Sequence, residues 1–130
     1  MPKLEYLYHV CSREQWNAAL PNQYRQEGPF THLSSAQELD QSIRVHLSQQ
    51  THLLLLCIKS NEIMHDLRWE TVSTRSTPMP HLYGVLPRSS IQWAVCLPDE
   101  PDLEGSRCPS IVDLSLDSPP NRPRFPYFDF

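Results

Sequence analysis

Three of the six histidines stand at or beside predicted strands, and each has an apolar or aromatic neighbour. They are His9 in YHVC, His32 in FTHLSS and His81 in PHLYG. Because an imidazole titrates near neutral pH, each could act as a general acid or base or bind a metal ion. A single histidine near a strand is more often structural, so a functional site requires all three rings to face one cleft. The other histidines lie on a predicted helix, at the start of a strand and in a polar turn, and we assign them no chemistry: His46, His52 and His65.

The segment LRWE places an arginine and a glutamate on either side of a tryptophan. Alternate residues of a strand share one face, so Arg68 and Glu70 should point the same way. Glu70 could orient a hydroxyl group or take a proton from an acceptor, and Arg68 could bind a phosphate through two hydrogen bonds. The structural alternatives are a salt bridge between Glu70 and a neighbouring arginine, and stacking of Arg68 on Trp69.

A second alternating pair, His81 and Tyr83, lies in STPMPHLYGVLP. Three prolines, which lack amide donors, favour a turn and a sheet edge here: Pro78, Pro80 and Pro87. We expect this rigid, irregular backbone to aim His81 and Tyr83 at a cleft, with Gly84 allowing a ligand or a strand to approach closely. The alternative is a tyrosine that caps the core with its hydroxyl group at the rim.

Two pairs of a strand and a helix begin the chain. LEYLYHVC alternates as a strand does, and SREQWNAAL follows as a helix in which Ser12 and Gln15 have the spacing of a capping box. EGPFTHLSS then predicts a turn and a short strand, before a second helix with Ser35 and Glu38 in the same arrangement. Each helix has one apolar face, formed by Trp16, Ala19 and Leu20 in the first and by Ala36, Leu39, Ile43 and Leu47 in the second.

The run THLLLLCIKS is continuously apolar, which predicts a central strand covered on both faces. LRWETVS and SIQWAVCL predict further strands, and SNEIMHDL a turn or short helical piece. The character of the chain changes at Pro98, since seven of the 13 prolines fall in the last 33 residues. We therefore predict one domain at residues 1–97 and a proline-rich tail at 98–130, either an extended strap or partly disordered.

Composition narrows the classes of partner. The 130 residues carry a net charge of −4, so extended binding to nucleic-acid phosphates is not expected and a small ligand is favoured. The longest apolar run, LLLLCI, is too short to cross a bilayer, and the first residues lack a secretory signal, which predicts no membrane association and a cytoplasmic protein. The four cysteines include no CxxC pair, so neither a zinc knuckle nor a disulfide framework is expected.

Five phrases, read together, resemble the domain-of-unknown-function family 952 over residues 6 to 97. They occur in the order typical of that family: YHVCSREQW, EGPFTHLSSAQEL, LLLLCI, LRWE and PHLYGVLP. The family looks like a compact relative of the ADP-ribosyltransferase fold, and HLS resembles a phrase of the RNA 2′-phosphotransferases. The resemblance implies an α+β fold, with a small split, strongly curved β-sheet and two main helices around a nicotinamide-dinucleotide cleft.

The same resemblance implies NAD as substrate, cleavage of nicotinamide and transfer of ADP-ribose to an unknown acceptor. It implies that His9 grips a ribose hydroxyl and the nicotinamide amide, and that His32 and Ser34 line the cleft. The expected catalytic residues are His9, His32, Glu70 and His81. The expected cofactor-binding residues are His9, Ser34, Arg68, Tyr83 and Gly84.

Two other functions remain open from the residues alone. Three imidazoles and a water molecule form a hydrolytic zinc geometry, so His9, His32 and His81 could hold a metal ion, although they lack the short spacing of known zinc motifs. Alternatively, the cleft is a non-catalytic module that binds a nucleotide or a peptide. The aromatic tail would then cover the cleft as a lid or dock on a distant face as a strap.

Overall fold

The computed structural model describes residues 5–26, 28–72, 77–114 and 123–130. The described residues form eight strands and three α-helices. In chain order these are β1 (Tyr6–Ser12), α1 (Arg13–Ala18), β2 (Gln23–Tyr24), β3 (Thr31–His32), α2 (Ala36–His46), β4 (Leu53–Lys59), β5 (Leu67–Glu70), β6 (Met79–Leu82), β7 (Leu86–Pro87), β8 (Ile91–Cys96) and α3 (Ile111–Leu114). Short 3₁₀ turns lie at Ser60–Glu62, Met64–Asp66 and Arg88–Ser90.

The strands form three small antiparallel sheets, with the orders β1-β4-β8, β2-β7 and β3-β6-β5. The apolar run from Leu53 to Ile58 is the central strand of the first sheet and is completely buried, as predicted. Tyr8 and Ser34 exchange two backbone hydrogen bonds of 2.8 Å, which link β1 to the chain just after β3. The α+β class is confirmed, whereas the strong curvature of the sheet is not seen.

One helix start follows its predicted cap and the other does not. Ser12 Oγ accepts from the amide of Gln15, and Gln15 Oε1 accepts from the amide of Ser12, so the capping box of α1 is confirmed. Helix α2 also begins after the predicted Ser35, but the Ser35 side chain makes no capping bond. Glu38 instead accepts a long hydrogen bond of 3.4 Å from the Thr77 hydroxyl group, so the second capping box is wrong.

The apolar faces of the two helices also differ from prediction at one position. Leu39 and Ile43 of α2 are fully buried against the first sheet, and Trp16 of α1 is buried as expected. Leu20 is 62% exposed, because α1 ends at Ala18 and the chain is already extended at Ala19. The helical periodicity that placed Leu20 on the buried face therefore stops before it.

The predicted edge position of the proline-rich segment is wrong, because β6 lies in the middle of its sheet, between β3 and β5. The carbonyl group of Pro80 accepts from the amide of Leu33 at 3.0 Å, so the missing N–H of Pro80 also points towards β3. On that side the chain leaves the sheet after Leu33, when Ser34 bonds to Tyr8 of β1. A central proline is tolerated here because it removes a hydrogen bond only where the pairing ends.

The described part of the C-terminal segment packs onto the domain. Cys96 donates its amide to the carbonyl group of Pro126 and Phe128 donates to that of Ala94, so residues 126–128 run along β8. Phe125 is buried in the core, and Phe128 contacts the edge of Trp16. The sequence also allowed partial disorder of the tail. Residues 115–122 of the tail lie outside the described residues. Within the described ranges, no helix has the length and apolar character needed to span a membrane.

Candidate functional site

A cavity of about 470 Å³ lies between α2, the middle of β1 and the ends of β3 and β6. The structure brings His9, His32, His81 and Ser34 to its wall, although they come from distant parts of the chain. Other polar groups share the lining, namely Gln26, Ser42, His46 and Gln50. The apolar lining is formed by Tyr8, Val10, Leu33, Leu39, Ile43, Leu47, Val72 and Met79. Among the described residues that line it, no arginine or lysine is present.

His9 is a closed part of this wall, because both of its ring nitrogens already bond to the protein. Nδ1 lies 2.6 Å from the carbonyl oxygen of His32, which can only accept, so Nδ1 must carry the hydrogen. Nε2 then accepts from the Tyr24 hydroxyl group at 3.0 Å. Burial lowers the pKa of His9 to about 4, so the ring is neutral at physiological pH. No ring nitrogen of His9 remains for a ligand.

Tyr24 extends the closed network to a thiol. Its hydroxyl group contacts the side chain of Cys11, and burial raises the pKa of both groups, that of Cys11 to about 12. Tyr24 also stacks on Trp16, with ring centroids 5.8 Å apart. The network of His9, Tyr24 and Cys11 is therefore uncharged and fully packed.

Glu70, His81 and Tyr83 form an open cluster at the other side of the cavity. The register of β5 and β6 pairs Arg68 with His81 and Glu70 with Met79, which places these side chains on one face. Glu70 Oε1 accepts from the Tyr83 hydroxyl group at 2.5 Å and from His81 Nδ1 at 2.9 Å. These two hydrogen bonds, that of Tyr83 first, lower the pKa of Glu70, so its half-exposed carboxylate is ionised at neutral pH.

The second ring nitrogen of His81 belongs to a ring that lines the cavity. Because the Glu70 carboxylate accepts from Nδ1, Nε2 of the neutral ring is a proton acceptor. It has no hydrogen-bond partner among the described residues, where the single buried and unpaired side-chain nitrogen or oxygen is Arg88 Nε. The His81 side chain is only 3% exposed and lines the cavity, so it connects the ionised carboxylate to the cavity.

Phe30 covers the open cluster, and the sequence did not indicate it. Its ring stacks on His81 with centroids 4.0 Å apart, and it also lies near His32 at 4.8 Å and Tyr83 at 5.2 Å. Phe30 stands in the predicted turn EGPF, which has no periodicity from which the direction of a side chain follows. Gln26 was missed for the same reason, and its Oε1 accepts from the amide of His32 at 2.8 Å.

His46 was assigned no chemistry, yet it lines the cavity. A signal was available, because His46 follows the buried Leu39 and Ile43 at helical spacing and so lies on their face of α2. It also helps to lower the pKa of His32, after burial and the neighbouring His81. Besides His9, three imidazoles therefore line the cavity, those of the exposed His32 and His46 and of the buried His81.

Three predicted cofactor-binding residues, Arg68, Tyr83 and Gly84, lie outside the cavity lining, and so does the predicted catalytic residue Glu70. The exposed guanidinium group of Arg68 sits over the ring of Tyr83 at 5.3 Å, and not over Trp69 as the alternative interpretation required. Gly84 makes room for a side chain of the protein, since a Cβ atom there would collide with the carboxylate of Asp66. Among the described residues, Glu70 forms hydrogen bonds to His81 and Tyr83 and no salt bridge to an arginine.

The zinc site considered from the sequence is not formed by the described side chains. Among them, no group of three or more histidine, cysteine, aspartate or glutamate residues has an arrangement that could hold a metal ion. The physical reason is the state of His9, whose nitrogens are both engaged.

Comparison with known proteins finds a similar solved protein and a matching family model. No curated protein matches it. It is similar to the crystal structure of protein CC0527 from Caulobacter crescentus, with a TM-score of 0.68 and 25% identity over 79% of this chain and 93% of that chain. The solution NMR structure of CC0527 has a TM-score of 0.66 and 24% identity over 80% of this chain and 92% of that chain. A family model described as a protein of unknown function, DUF952, matches residues 10–94, so the chain belongs to the DUF952 family.

Proposed function

We propose that the chain is an NAD-binding enzyme of ADP-ribosyltransferase type, which cleaves nicotinamide from NAD and transfers ADP-ribose to an acceptor that we leave open. The main support is the position of His81, whose Nδ1 bonds to the ionised carboxylate of Glu70 and whose ring lines the cavity. A general base at the wall of a ligand-sized cavity, held by a carboxylate, is the arrangement that a transfer reaction needs.

The cavity suits the nicotinamide and its ribose better than the two phosphates. Its volume of about 470 Å³ lies within the usual range of small-molecule sites, and it offers amide, hydroxyl and imidazole groups to a sugar and an amide. The described lining contains no arginine or lysine, which a pyrophosphate group would prefer. In this proposal the nicotinamide riboside half occupies the cavity and the phosphates lie towards its mouth.

The chemistry then divides between Glu70 and His81. The glycosidic C–N bond breaks and its electron pair leaves with nicotinamide, so positive charge develops on the ribose. The ionised Glu70 stabilises this charge or orients a ribose hydroxyl group. The acceptor forms the new bond to the ribose carbon and gives its proton to Nε2 of His81, and Glu70 stabilises the resulting imidazolium ion through Nδ1.

The other predicted residues take supporting roles in this proposal. His32 and Ser34 line the cavity, and Ser34 donates to the Ser42 hydroxyl group at 3.1 Å. His9 holds the His32 backbone and Tyr24 in place and does not grip the ribose, because it has no free ring nitrogen. Arg68 and Tyr83 act on Glu70 from outside the cavity.

The state of His9 also favours a second candidate, a non-catalytic module that binds a nucleotide or a peptide in the same cavity. The resemblance to ADP-ribosyltransferases implies a ribose-gripping histidine at this position, and a histidine that is fully engaged within the protein cannot perform that role without breaking a hydrogen bond.

Ligand binding and nicotinamide release separate the two candidates. We expect NAD to raise the melting temperature, since a ligand at 100 times its Kd stabilises a protein by about 2.7 kcal/mol. We expect Glu70→Gln to lower the rate of nicotinamide release by about 100-fold while NAD still binds. The matched control is Glu62→Gln, at an exposed glutamate in the turn after β4, which should retain the full rate.

The outcomes are distinct. Stabilisation by NAD without nicotinamide release would support the binding module. The absence of any stabilisation at millimolar NAD would contradict both the NAD-dependent enzyme and a binding module whose nucleotide is NAD. Nicotinamide release that is unchanged in Glu70→Gln would contradict the role of the carboxylate.

A further inference from the structure

Strand β5 is an edge strand, and the outward backbone groups of Trp69 have no hydrogen-bond partner in the described part of the chain, whereas the amide of Leu67 donates to Met64. It pairs with β6 alone, at the end of the sheet β3-β6-β5. The amide of Tyr83 donates to the carbonyl oxygen of Asp66 at 2.8 Å, and this bond fixes which residues of the strand face β6. By alternation, Arg68 and Glu70 direct their backbone groups towards β6, and Trp69 directs its N–H and C=O away from it.

Two features make this edge unusual for an unpaired strand. Trp69, at its centre, is 38% exposed, and tryptophan is enriched in the cores of protein interfaces. The strand is also self-complementary in charge, because Arg68 and Glu70 stand on either side of Trp69 on one face.

We propose that the protein forms a twofold symmetric dimer through antiparallel pairing of β5 with β5 of a second copy, centred on Trp69. The outward N–H and C=O of Trp69 then bond to Trp69 of the partner subunit, and the amide of Thr71 bonds to Leu67 of the partner subunit. This gives about four backbone hydrogen bonds across the axis. The two three-stranded sheets become one continuous six-stranded sheet.

The charges of Arg68 and Glu70 favour a second copy of the chain as the partner, and they favour the register centred on Trp69. In antiparallel pairing centred on Trp69, Arg68 lies directly opposite Glu70 of the partner subunit, and the reverse holds across the axis. A slip of two residues in one direction places Arg68 opposite Arg68 of the partner subunit, and a slip in the other direction places two Glu70 side chains opposite each other. Like charges directly opposite are unfavourable, so only the centred register satisfies both pairs.

The dimer would also complete the rim of the cavity, and this inference does not depend on the reaction proposed above. Glu70 already bonds to His81, which lines the cavity. Arg68 of the partner subunit would add a cation beside Glu70, near a cavity whose described lining has no arginine or lysine.

Charge reversal tests the pairing by analytical ultracentrifugation of the full chain. We expect a weak dimer with a Kd on the order of micromolar, because one strand edge buries less than a standard interface of about 1,600 Å². Arg68→Glu alone and Glu70→Arg alone should each weaken the dimer by at least about tenfold, since attraction becomes repulsion in both cross-strand pairs. When the two variants are mixed, a heterodimer should form, because opposite charges meet again. The matched control is Arg25→Glu, at an exposed arginine directly after β2, which should not change the Kd of the dimer.

A second variant tests the backbone. Trp69→Pro removes only an N–H that points away from β6, so the intrachain hydrogen bonds of β5 are kept and the dimer should be lost. The proposal is overturned if the wild-type chain stays monomeric at about millimolar concentration, where a micromolar dimer would be saturated. It is also overturned if the mixed charge variants stay monomeric, or if the Trp69 amide is protected from hydrogen exchange in a monomer, which would show that another segment covers the edge.

Discussion

Tyr24 and Tyr83 each donate a hydroxyl hydrogen bond beside a cavity histidine, but one lies in a closed wall and the other at an open rim. At the wall, Tyr24 donates to His9, and the surrounding groups are buried and neutral. At the rim, Tyr83 donates to Glu70, which is ionised, half exposed and bonded to His81. The same residue types therefore stabilise a neutral ring in one place and a charged carboxylate in the other.

The difference explains which histidine can act on a ligand. A ring with both nitrogens engaged within the protein fixes the shape of the wall, and it cannot take up a proton without losing a hydrogen bond. A ring with one nitrogen held by a carboxylate and the other open can exchange a proton with a bound molecule. We therefore assign a structural role to His9 and propose a chemical role for His81.

Acidification should have the largest effect on stability, because it protonates His9, which is buried and neutral in the closed wall. The pKa of His9 is about 4 in the folded protein and 6.5 in an unperturbed histidine. Between these pH values His9 is protonated in the unfolded chain and neutral in the folded chain. The free energy of unfolding should fall by up to about 3 kcal/mol as the pH drops from 6.5 to 4. Above pH 6.5 His9 is neutral in both states and should cause no further change with pH. Urea unfolding at pH 7 and pH 4.5 measures it.

Variants separate His9 from the other groups that titrate in this range. His9→Gln should be less stable at pH 7 and should show a smaller loss on acidification. His65→Gln, at an exposed histidine, should keep the wild-type loss. An NMR titration of His9 near pH 6.5 in the folded protein would contradict the closed wall.

The same substitution in the two regions should give the second largest effect. Tyr24→Phe leaves the buried Nε2 of His9 without a donor and should destabilise the protein by about 1–3 kcal/mol. Tyr83→Phe keeps the ring under Arg68, and water can replace its hydroxyl group, so no measurable change in the urea midpoint is expected. It should instead raise the pKa of Glu70, because Tyr83 is the main cause of its depression.

Urea unfolding and NMR titration of the Glu70 carboxyl group together measure this contrast. Equal destabilisation by Tyr24→Phe and Tyr83→Phe would show that wall and rim do not differ. A pKa of Glu70 that does not move in Tyr83→Phe would show that the short hydrogen bond is absent in solution.

The sequence predicted those parts of the fold that depend on local pattern. The apolar run from Leu53 to Ile58 is the central strand, because an element covered on both faces has no polar alternation. The capping box at Ser12 is formed because both partners lie within one helical turn. These features need no knowledge of distant residues.

The errors lie where distant segments meet. Whether Pro80 can occupy a central strand depends on where its missing N–H points, and that is set by pairing with Leu33. Whether His9 is closed or open depends on Tyr24, which arrives from another sheet. Phe30 reaches His81 from an irregular turn, where no periodicity predicts a direction.

The smallest predicted effect concerns the shared environment of the open histidines. The pKa of His32 is lowered by burial first, then by His81 and then by His46. His46→Gln should therefore raise the pKa of His32 slightly, and His81→Gln should raise it more, as measured by NMR titration of the imidazole. His52→Asn is the matched control, because His52 has a positive φ of 56° that asparagine tolerates and it does not line the cavity. If His46→Gln left the pKa of His32 unchanged, His46 would not act on His32 across the cavity.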